Sequence, residues 1–67
     1  MTRFGERVKS RREQLGLTQE QLAERLGYKS RSSINKIEMG KNDIPQSKLP
    51  DFAKALNTTV AYLIGLT

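Results

Sequence analysis

The strongest constraint on the fold of this chain lies in residues 17–41, which read LTQEQLAERLGYKSRSSINKIEMGK. Thr18 is followed three residues later by Gln21, which is the spacing of a capping box at a helix N-terminus. Gly27 is the residue type that most often ends a helix, and Ser30 is placed to cap a second one. The stretch therefore predicts two short helices joined by a tight turn.

Apolar spacing gives each of these helices one buried face. In the first helix Leu22, Ala23 and Leu26 share a face, and in the second Ile34 and Ile37 do. The opposite face of the second helix carries only short or cationic hydrogen-bonding side chains: Arg31, Ser32, Asn35 and Lys36. Such a face suits the base edges in a DNA major groove. A merely solvated surface is the alternative for the two cations.

A first helix is expected to begin at Thr2 or Arg3 and to end at Leu15, before Gly16. Its inward side chains are expected to be Phe4, Val8 and Leu15. Its outward side chains are expected to be Arg7, Lys9 and Arg11.

Two further helices are predicted in the last third of the chain. Gly40 ends the third helix, and residues 41–46 form a loop rich in turn residues. Ser47 is expected to cap a fourth helix that has Pro50 in its first turn, where the missing N–H costs nothing. Thr59 is expected to cap a short fifth helix.

A strand-based fold is not supported, because apolar residues recur every three to four positions and no β-branched run alternates with period two. We therefore expect an all-α fold, a compact five-helix bundle that forms a single domain over residues 1–67. The predicted core consists of Leu15, Leu22, Leu26, Ile34, Ile37, Leu49, Phe52, Leu56 and Leu63.

Composition excludes several functional classes. The chain has no cysteine and no histidine, so disulfides, thiol chemistry and a zinc site are not expected. It also lacks a glycine-rich phosphate loop, so we expect no enzyme, no cofactor and no small-molecule ligand. No apolar run approaches the roughly 20 residues of a membrane span, and the N-terminal residues lack the apolar part of a signal peptide. We expect no membrane contact and a cytoplasmic location.

The excess positive charge lies in the same part of the chain as the two short helices. The net charge is +5. Residues 1–41 hold ten Lys or Arg and five Asp or Glu, whereas residues 42–67 hold two of each kind. This placement favours a polyanion as partner. A charged surface that only keeps the chain soluble is the alternative.

The chain closely resembles the lambda-type phage repressor and Cro helix-turn-helix family, also called the XRE family. The resemblance covers nearly all of the chain and is carried by RVKSRREQLGLTQEQLAERLG, SSINKIEMGK and LPDFAKALNTTVAYLIG. It implies a lambda-repressor-like domain whose second and third helices bind the DNA major groove. It further implies a bacterial or phage repressor that binds a pseudo-palindromic operator in double-stranded DNA as a weak homodimer formed on DNA.

The same resemblance implies roles for particular residues. The candidate base-reading residues are Arg31, Ser32, Asn35 and Lys36. The candidate phosphate contacts are Gln19, Thr18, Ser33, Lys41, Asn42 and Arg11. Arg12 and Glu38 match a partly buried ion pair that ties the first helix to the third. The candidate dimer contact consists of Ile44, Pro45, Val60 and Tyr62.

Two departures from the family pattern affect these expectations. The turn 27–30 is one residue longer than the common form, which changes how far Arg31 reaches. The loop before the fourth helix lacks the arginines of some relatives, and Asp43 adds a negative charge there.

The two tyrosines, Tyr28 and Tyr62, are isolated from each other in the sequence. We therefore expect their rings to pack within the domain rather than to stack on nucleobases.

Three questions stay open at the level of sequence. A protein-interaction module, such as the antitoxin half of a toxin–antitoxin pair, is a different functional class with the same fold. Binding of RNA or DNA without sequence preference is another. The chain is expected to be either the DNA-binding part of a longer repressor or a complete small regulator.

Overall fold

The computed structural model describes residues 4–66, and within these residues it contains five α-helices, one 3-10 helix and no strand. The α-helices are α1 (Phe4–Gln14), α2 (Gln19–Leu26), α3 (Arg31–Glu38), α4 (Leu49–Ala55) and α5 (Val60–Leu63). The 3-10 helix Gln46–Lys48 directly precedes α4. The predicted all-α, five-helix architecture is confirmed. The predicted start of α1 at Thr2 or Arg3 lies outside the described residues.

Two of the predicted helix N-termini form as the sequence indicates. Thr18 Oγ1 accepts a hydrogen bond from the Gln21 backbone N–H at 3.0 Å, and Gln21 Oε1 accepts one from the Thr18 N–H at 2.9 Å. Thr59 Oγ1 accepts from the Tyr62 N–H at 3.1 Å, at the start of α5. At the other end of α2, Gly27 adopts a left-handed conformation with φ 78°. The capping box therefore fixes where α2 begins, and the glycine fixes where it ends.

The two predicted serine caps do not form as expected. Ser30 occupies the N-cap position of α3 with an extended backbone, but its side chain makes no capping hydrogen bond. The prediction that Ser47 caps α4 is wrong, because Ser47 lies inside the 3-10 helix and Lys48 occupies the N-cap position. The Lys48 N–H donates to the Pro45 carbonyl at 2.9 Å, so a 3-10 turn forms before α4 starts.

The helices pack around nine buried apolar side chains, which are Val8, Leu22, Ala23, Ile34, Ile37, Phe52, Ala53, Leu56 and Leu63. Phe52 is fully buried, and its ring makes edge-to-face contacts with the rings of Phe4 and Tyr28, with centroids 5.8 and 6.3 Å apart. Such contacts stabilise a fold beyond simple area burial. Tyr28 therefore packs in the domain, as the sequence favoured.

The end of α1 departs most from the predicted core. Leu15 is 36% exposed, and the prediction that it belongs to the core is wrong. The last turn of α1 is held instead by two arginines, which donate hydrogen bonds to neighbouring parts of the chain. Leu26 and Leu49 lie at the edge of the core and are only partly buried.

Two arginines that were expected to point outward pack against the domain. Arg7 lies over the Tyr62 ring, with its guanidinium carbon 5.1 Å from the centroid. Arg11 donates through Nε to the Leu56 carbonyl and through Nη2 to the Asn57 carbonyl, both at 2.9 Å. These carbonyls lie at the C-terminal end of α4, where a cation is favoured. Arg11 therefore has a structural role, and its contact with phosphate stays a prediction.

Arg12 and Glu38 join α1 to α3 through a two-point ion pair. Arg12 Nε donates to Glu38 Oε2 at 2.7 Å, and Nη2 donates to Oε1 at 3.2 Å. The third guanidinium nitrogen donates to the Leu17 carbonyl at 2.8 Å, in the segment between α1 and α2. The side chains of Arg12 and Glu38 are only 11% and 2% exposed. One guanidinium thus connects α1, the segment that follows it, and α3.

A close approach of backbones accompanies this ion pair. Gly5 is buried, and a Cβ atom added there would lie 2.7 Å from the Glu38 carbonyl oxygen and closer still to that of Ile37. Real Cβ atoms do not tolerate such distances to backbone atoms. Gly5 therefore allows α1 to pack directly on the C-terminal end of α3, a role that sequence reasoning missed.

We expect Gly5→Ala to destabilise the domain. The added methyl group forces apart two backbones, which places the cost near the upper end of the about 1–3 kcal/mol typical of overpacking and above the roughly 1 kcal/mol that alanine gains in helix propensity. Each kcal/mol corresponds to about 4–8 °C in Tm for a domain of this size. Thermal unfolding followed by circular dichroism measures this, with Ser10→Ala on the exposed side of α1 as control. Equal melting temperatures for both variants would contradict the close approach.

We expect Glu38→Ala to lower the free energy of unfolding by about 3 kcal/mol, because it leaves a nearly buried guanidinium without its carboxylate. Denaturant unfolding measures the difference. Glu24→Ala removes a glutamate from an exposed position on α2 and should change stability little. If the two variants unfold at the same denaturant concentration, the ion pair makes no net contribution.

Candidate nucleic-acid interface

Helices α2 and α3 pack against each other across the turn 27–30 and bury their apolar faces. Leu22 and Ala23 are the buried residues of α2, whereas Ile34, Ile37 and Glu38 are those of α3. The remaining side chains of α3 are polar and mostly exposed. The packing therefore presents one polar face of an eight-residue helix to solvent.

Three of the four predicted base-reading residues lie in one cleft. Arg31, Ser32 and Asn35 line it together with Gln19 from the start of α2, and its volume is about 390 Å³. The three α3 side chains are exposed, and Gln19 is half-buried. Lys36 is also exposed but does not line this cleft.

The Gln19 side chain is directed into the protein. Its Nε2 donates to Asn35 Oδ1 at 3.2 Å and to Glu38 Oε1 at 3.0 Å. The amide nitrogen has two hydrogens, so neither remains for a phosphate in this arrangement. The expectation that this amide binds phosphate therefore does not fit the observed conformation. Sequence reasoning missed the link, although Asn35 and Glu38 share a face of α3 at a spacing of three.

The first turn of α2 keeps backbone donors that its capping box does not use. The capping box occupies the N–H groups of Thr18 and Gln21. The N–H groups of Gln19 and Glu20 fall in the first turn, where an α-helix offers no carbonyl partner. Of these two residues, Gln19 lines the cleft.

The other predicted phosphate contacts lie outside the cleft. Ser33 is half-buried, whereas Lys41 and Asn42 are exposed in the segment after α3. The backbone N–H groups of Lys41 and Asn42 donate to the Lys36 carbonyl at 2.9 and 3.3 Å, which holds this segment against the end of α3. Lys41 therefore adds a positive charge beside the C-terminal half of the helix.

The predicted dimer contact divides into two parts. Ile44 lies beside a groove of about 520 Å³ that Phe4, Ile37 and Ile64 also line. Pro45, next along the chain, is exposed. Ile64 and Leu66 are 46% and 75% exposed. The structure thus places apolar surface around the groove.

Val60 and Tyr62 are used largely within the domain. Both are half-buried and pack against its core. The guanidinium of Arg7 covers the Tyr62 ring.

None of the helices within residues 4–66 combines the length and the apolar character that a membrane span requires.

Comparison with known proteins identifies relatives along most of the chain. A family model described as helix-turn-helix matches residues 8–63. The chain is 48% identical over 61 residues to an uncharacterized transcriptional regulator in the ATPase CF(0) region of Rhodospirillum rubrum. The aligned region covers 91% of this chain and 56% of that protein. The chain is 38% identical over 58 residues to an uncharacterized helix-turn-helix transcriptional regulator of Sinorhizobium medicae, covering 87% of this chain and 41% of that protein. The chain thus spans about half the length of these relatives.

Two solved structures share the fold. The P22 c2 repressor, in complex with a synthetic operator, superposes with a TM-score of 0.89 at 27% identity, and the match covers 100% of both chains. The restriction-modification controller protein C.AhdI from Aeromonas hydrophila gives a TM-score of 0.82 at 31% identity, covering 91% of each chain. The chain therefore belongs to the lambda-type (XRE) helix-turn-helix family, whose members are DNA-binding regulators rather than enzymes.

Proposed function

We propose that this chain binds double-stranded DNA sequence-specifically, as the DNA-binding domain of a bacterial or phage transcriptional repressor. The observation that carries the proposal is the cleft in which exposed Arg31, Ser32 and Asn35 lie side by side on α3. In helix-turn-helix proteins the second helix of the motif enters the major groove, and its N-terminal residues contact base edges. The P22 c2 repressor, whose structure contains a synthetic operator, has the same fold.

Each residue of the exposed face has a suitable partner on a base edge. Arg31 carries the donors that pair with guanine O6 and N7, and Lys36 can do the same from the edge of the face. Asn35 suits adenine, and the Ser32 hydroxyl suits any base. Arg31 is the first residue of α3, the part of the helix that reaches deepest into the groove in related complexes.

Phosphate binding is assigned to the start of α2 and to the segment after α3. The Gln19 and Glu20 N–H groups lie at the positive end of the α2 dipole, which favours a phosphate there. Thr18 Oγ1 uses a lone pair on Gln21, so its hydroxyl hydrogen is available to a phosphate oxygen. Lys41, Asn42 and the half-buried Ser33 are the further phosphate contacts in this proposal.

Two copies are proposed to meet on DNA through the groove beside Ile44. Its apolar rim includes Ile64, and Pro45 extends the exposed surface. Val60 and Tyr62, which are half-buried and pack against the core, are the flanking residues of this proposed contact.

Repression is proposed to follow when the dimer covers a promoter. A location in the cytoplasm, where bacterial or phage DNA is accessible, belongs to the same proposal. The exposed apolar residues Ile64 and Leu66 also suit a protein partner, so a protein-interaction module is the competing outcome of the experiment below.

Selection of bound duplexes from a random DNA pool at about 0.15 M salt tests the proposal. We expect enrichment of an inverted repeat whose half-sites are centred about 10 base pairs apart. A single enriched half-site would support sequence-specific binding and contradict the dimer. A pool that stays random would contradict sequence-specific binding and leave either electrostatic binding or a protein-interaction role.

We expect Arg31→Ala to weaken binding to the selected duplex by about 1–3 kcal/mol and to relax the preference at one base pair in each half-site. Fluorescence anisotropy with single-substituted duplexes measures both effects. Lys54→Ala removes the same charge from the exposed side of α4, beside Arg25 and Asp51 rather than in the cleft. It should leave base preference unchanged. An equal loss for Arg31→Ala on selected and random duplexes would show that Arg31 does not read a base.

A further inference from the structure

One side chain joins the start of α2 to the exposed face of α3. Gln19 Nε2 donates one hydrogen to Asn35 Oδ1 at 3.2 Å and the other to Glu38 Oε1 at 3.0 Å. Asn35 is exposed in the cleft, whereas Glu38 is buried beneath it. Gln19 therefore connects a buried carboxylate to a surface amide.

Glu38 determines the orientation of the Gln19 amide. The carboxylate is held at both oxygens by Arg12, at 2.7 and 3.2 Å, and its side chain is 2% exposed. An ionised carboxylate can only accept hydrogen bonds. A flipped amide would place the Gln19 carbonyl oxygen against the carboxylate, so the nitrogen must face Glu38.

The orientation of Asn35 follows from that of Gln19. Because the Gln19 nitrogen is a donor, Asn35 presents its carbonyl oxygen to it and turns Nδ2 away. Nδ2 lies 3.5 Å from Met39 Sδ, and a thioether sulfur is only a weak acceptor. The Asn35 donor is thus left on the solvent side with no strong partner among the described residues.

A fixed amide matters for base recognition. The two orientations of an asparagine amide exchange its donor and its acceptor, and each base edge presents its own order of donors and acceptors in the major groove. An amide that is free to flip fits several edges equally well. An amide that is held before DNA arrives also avoids the cost of being ordered on binding.

We infer that Gln19 is a positioning residue for base reading by Asn35, which it holds with Nδ2 directed at an acceptor on the base edge, such as a purine N7. This inference rests on the proposed function. It gives Gln19 a part in specificity, whereas a residue that only touches phosphate would affect affinity for all sequences alike.

Gln19→Met tests the inference, because methionine keeps the length of the side chain and removes the amide. Base preference is measured by selection from the random duplex pool and then by anisotropy on single-substituted duplexes. Asn35→Ala first identifies the base pair that Asn35 reads. At that base pair we expect Gln19→Met to reduce discrimination by about fivefold or more, with preferences elsewhere unchanged.

A double variant separates positioning from a general structural effect. In the Asn35→Ala background, Gln19→Met should cause no further change in the base profile, since the side chain that it orients is gone. Lys41→Ala is the matched comparison. It should weaken all duplexes alike and leave every base preference as it was. Melting curves confirm that each variant is folded at the temperature of the binding assay.

Three outcomes would overturn the inference. A uniform loss of affinity in Gln19→Met, like that of Lys41→Ala, would show that Gln19 acts without Asn35. An unchanged profile in Asn35→Ala would show that Asn35 reads no base, while the proposed function would stand if the natural chain still selects an operator. If the natural chain selects no sequence, the proposed function fails and the inference fails with it.

Discussion

The Arg12–Glu38 ion pair is the contact on which the arrangement of the helix pair depends. Its guanidinium lies on α1, its carboxylate lies on α3, and its third nitrogen holds the Leu17 carbonyl just before α2. The three elements are thereby fixed relative to one another at a single point. A nearly buried charge that lost this partner would remain without compensation, so arrangements in which the pair is broken are strongly disfavoured.

Buried polar contacts supplement a small core here. Nine apolar side chains form the core, and a chain of this length buries a smaller fraction of its surface than a larger domain does. At the end of α1, where apolar contacts run out and Leu15 is exposed, Arg11 and Arg12 bind carbonyls and a carboxylate instead. Hydrogen bonds have directional requirements that apolar contacts lack. They therefore constrain the position of α1 relative to α3 and to the end of α4.

Local signals predicted the helices well, and longer-range contacts explain the differences. The Thr18 and Gln21 spacing and Gly27 act within a few residues, so the sequence alone located both ends of α2. Ser47 failed as a cap because the Pro45 carbonyl captured the Lys48 N–H in a 3-10 turn. Arg11 was expected to face solvent, but the carbonyls it binds are 45 and 46 residues away. The spacing of apolar residues predicts which face of a helix is buried. It does not predict which distant groups a long side chain such as arginine can contact.

The candidate site was predicted as a set of residues but not as an arrangement. The exposed face of α3 follows from the spacing of Ile34 and Ile37, which turns Arg31 and Asn35 outward. The inward turn of Gln19 depends on a carboxylate that is adjacent only after folding. The family resemblance assigned Gln19 to phosphate from its place at the start of the second helix. In the folded domain its amide nitrogen instead donates to Asn35 and Glu38.

The brevity of α5 has a consequence for assembly. This helix has four residues, and Leu63 is its fully buried residue. Helices this short depend on tertiary packing for their stability, so α5 would open locally if its packing around Leu63 were lost. A second copy seated on Ile64 would bind the closed form selectively and protect its backbone amides from hydrogen exchange. If the proposed dimer forms in this way, its assembly and the order of α5 would be thermodynamically linked, so that each would favour the other.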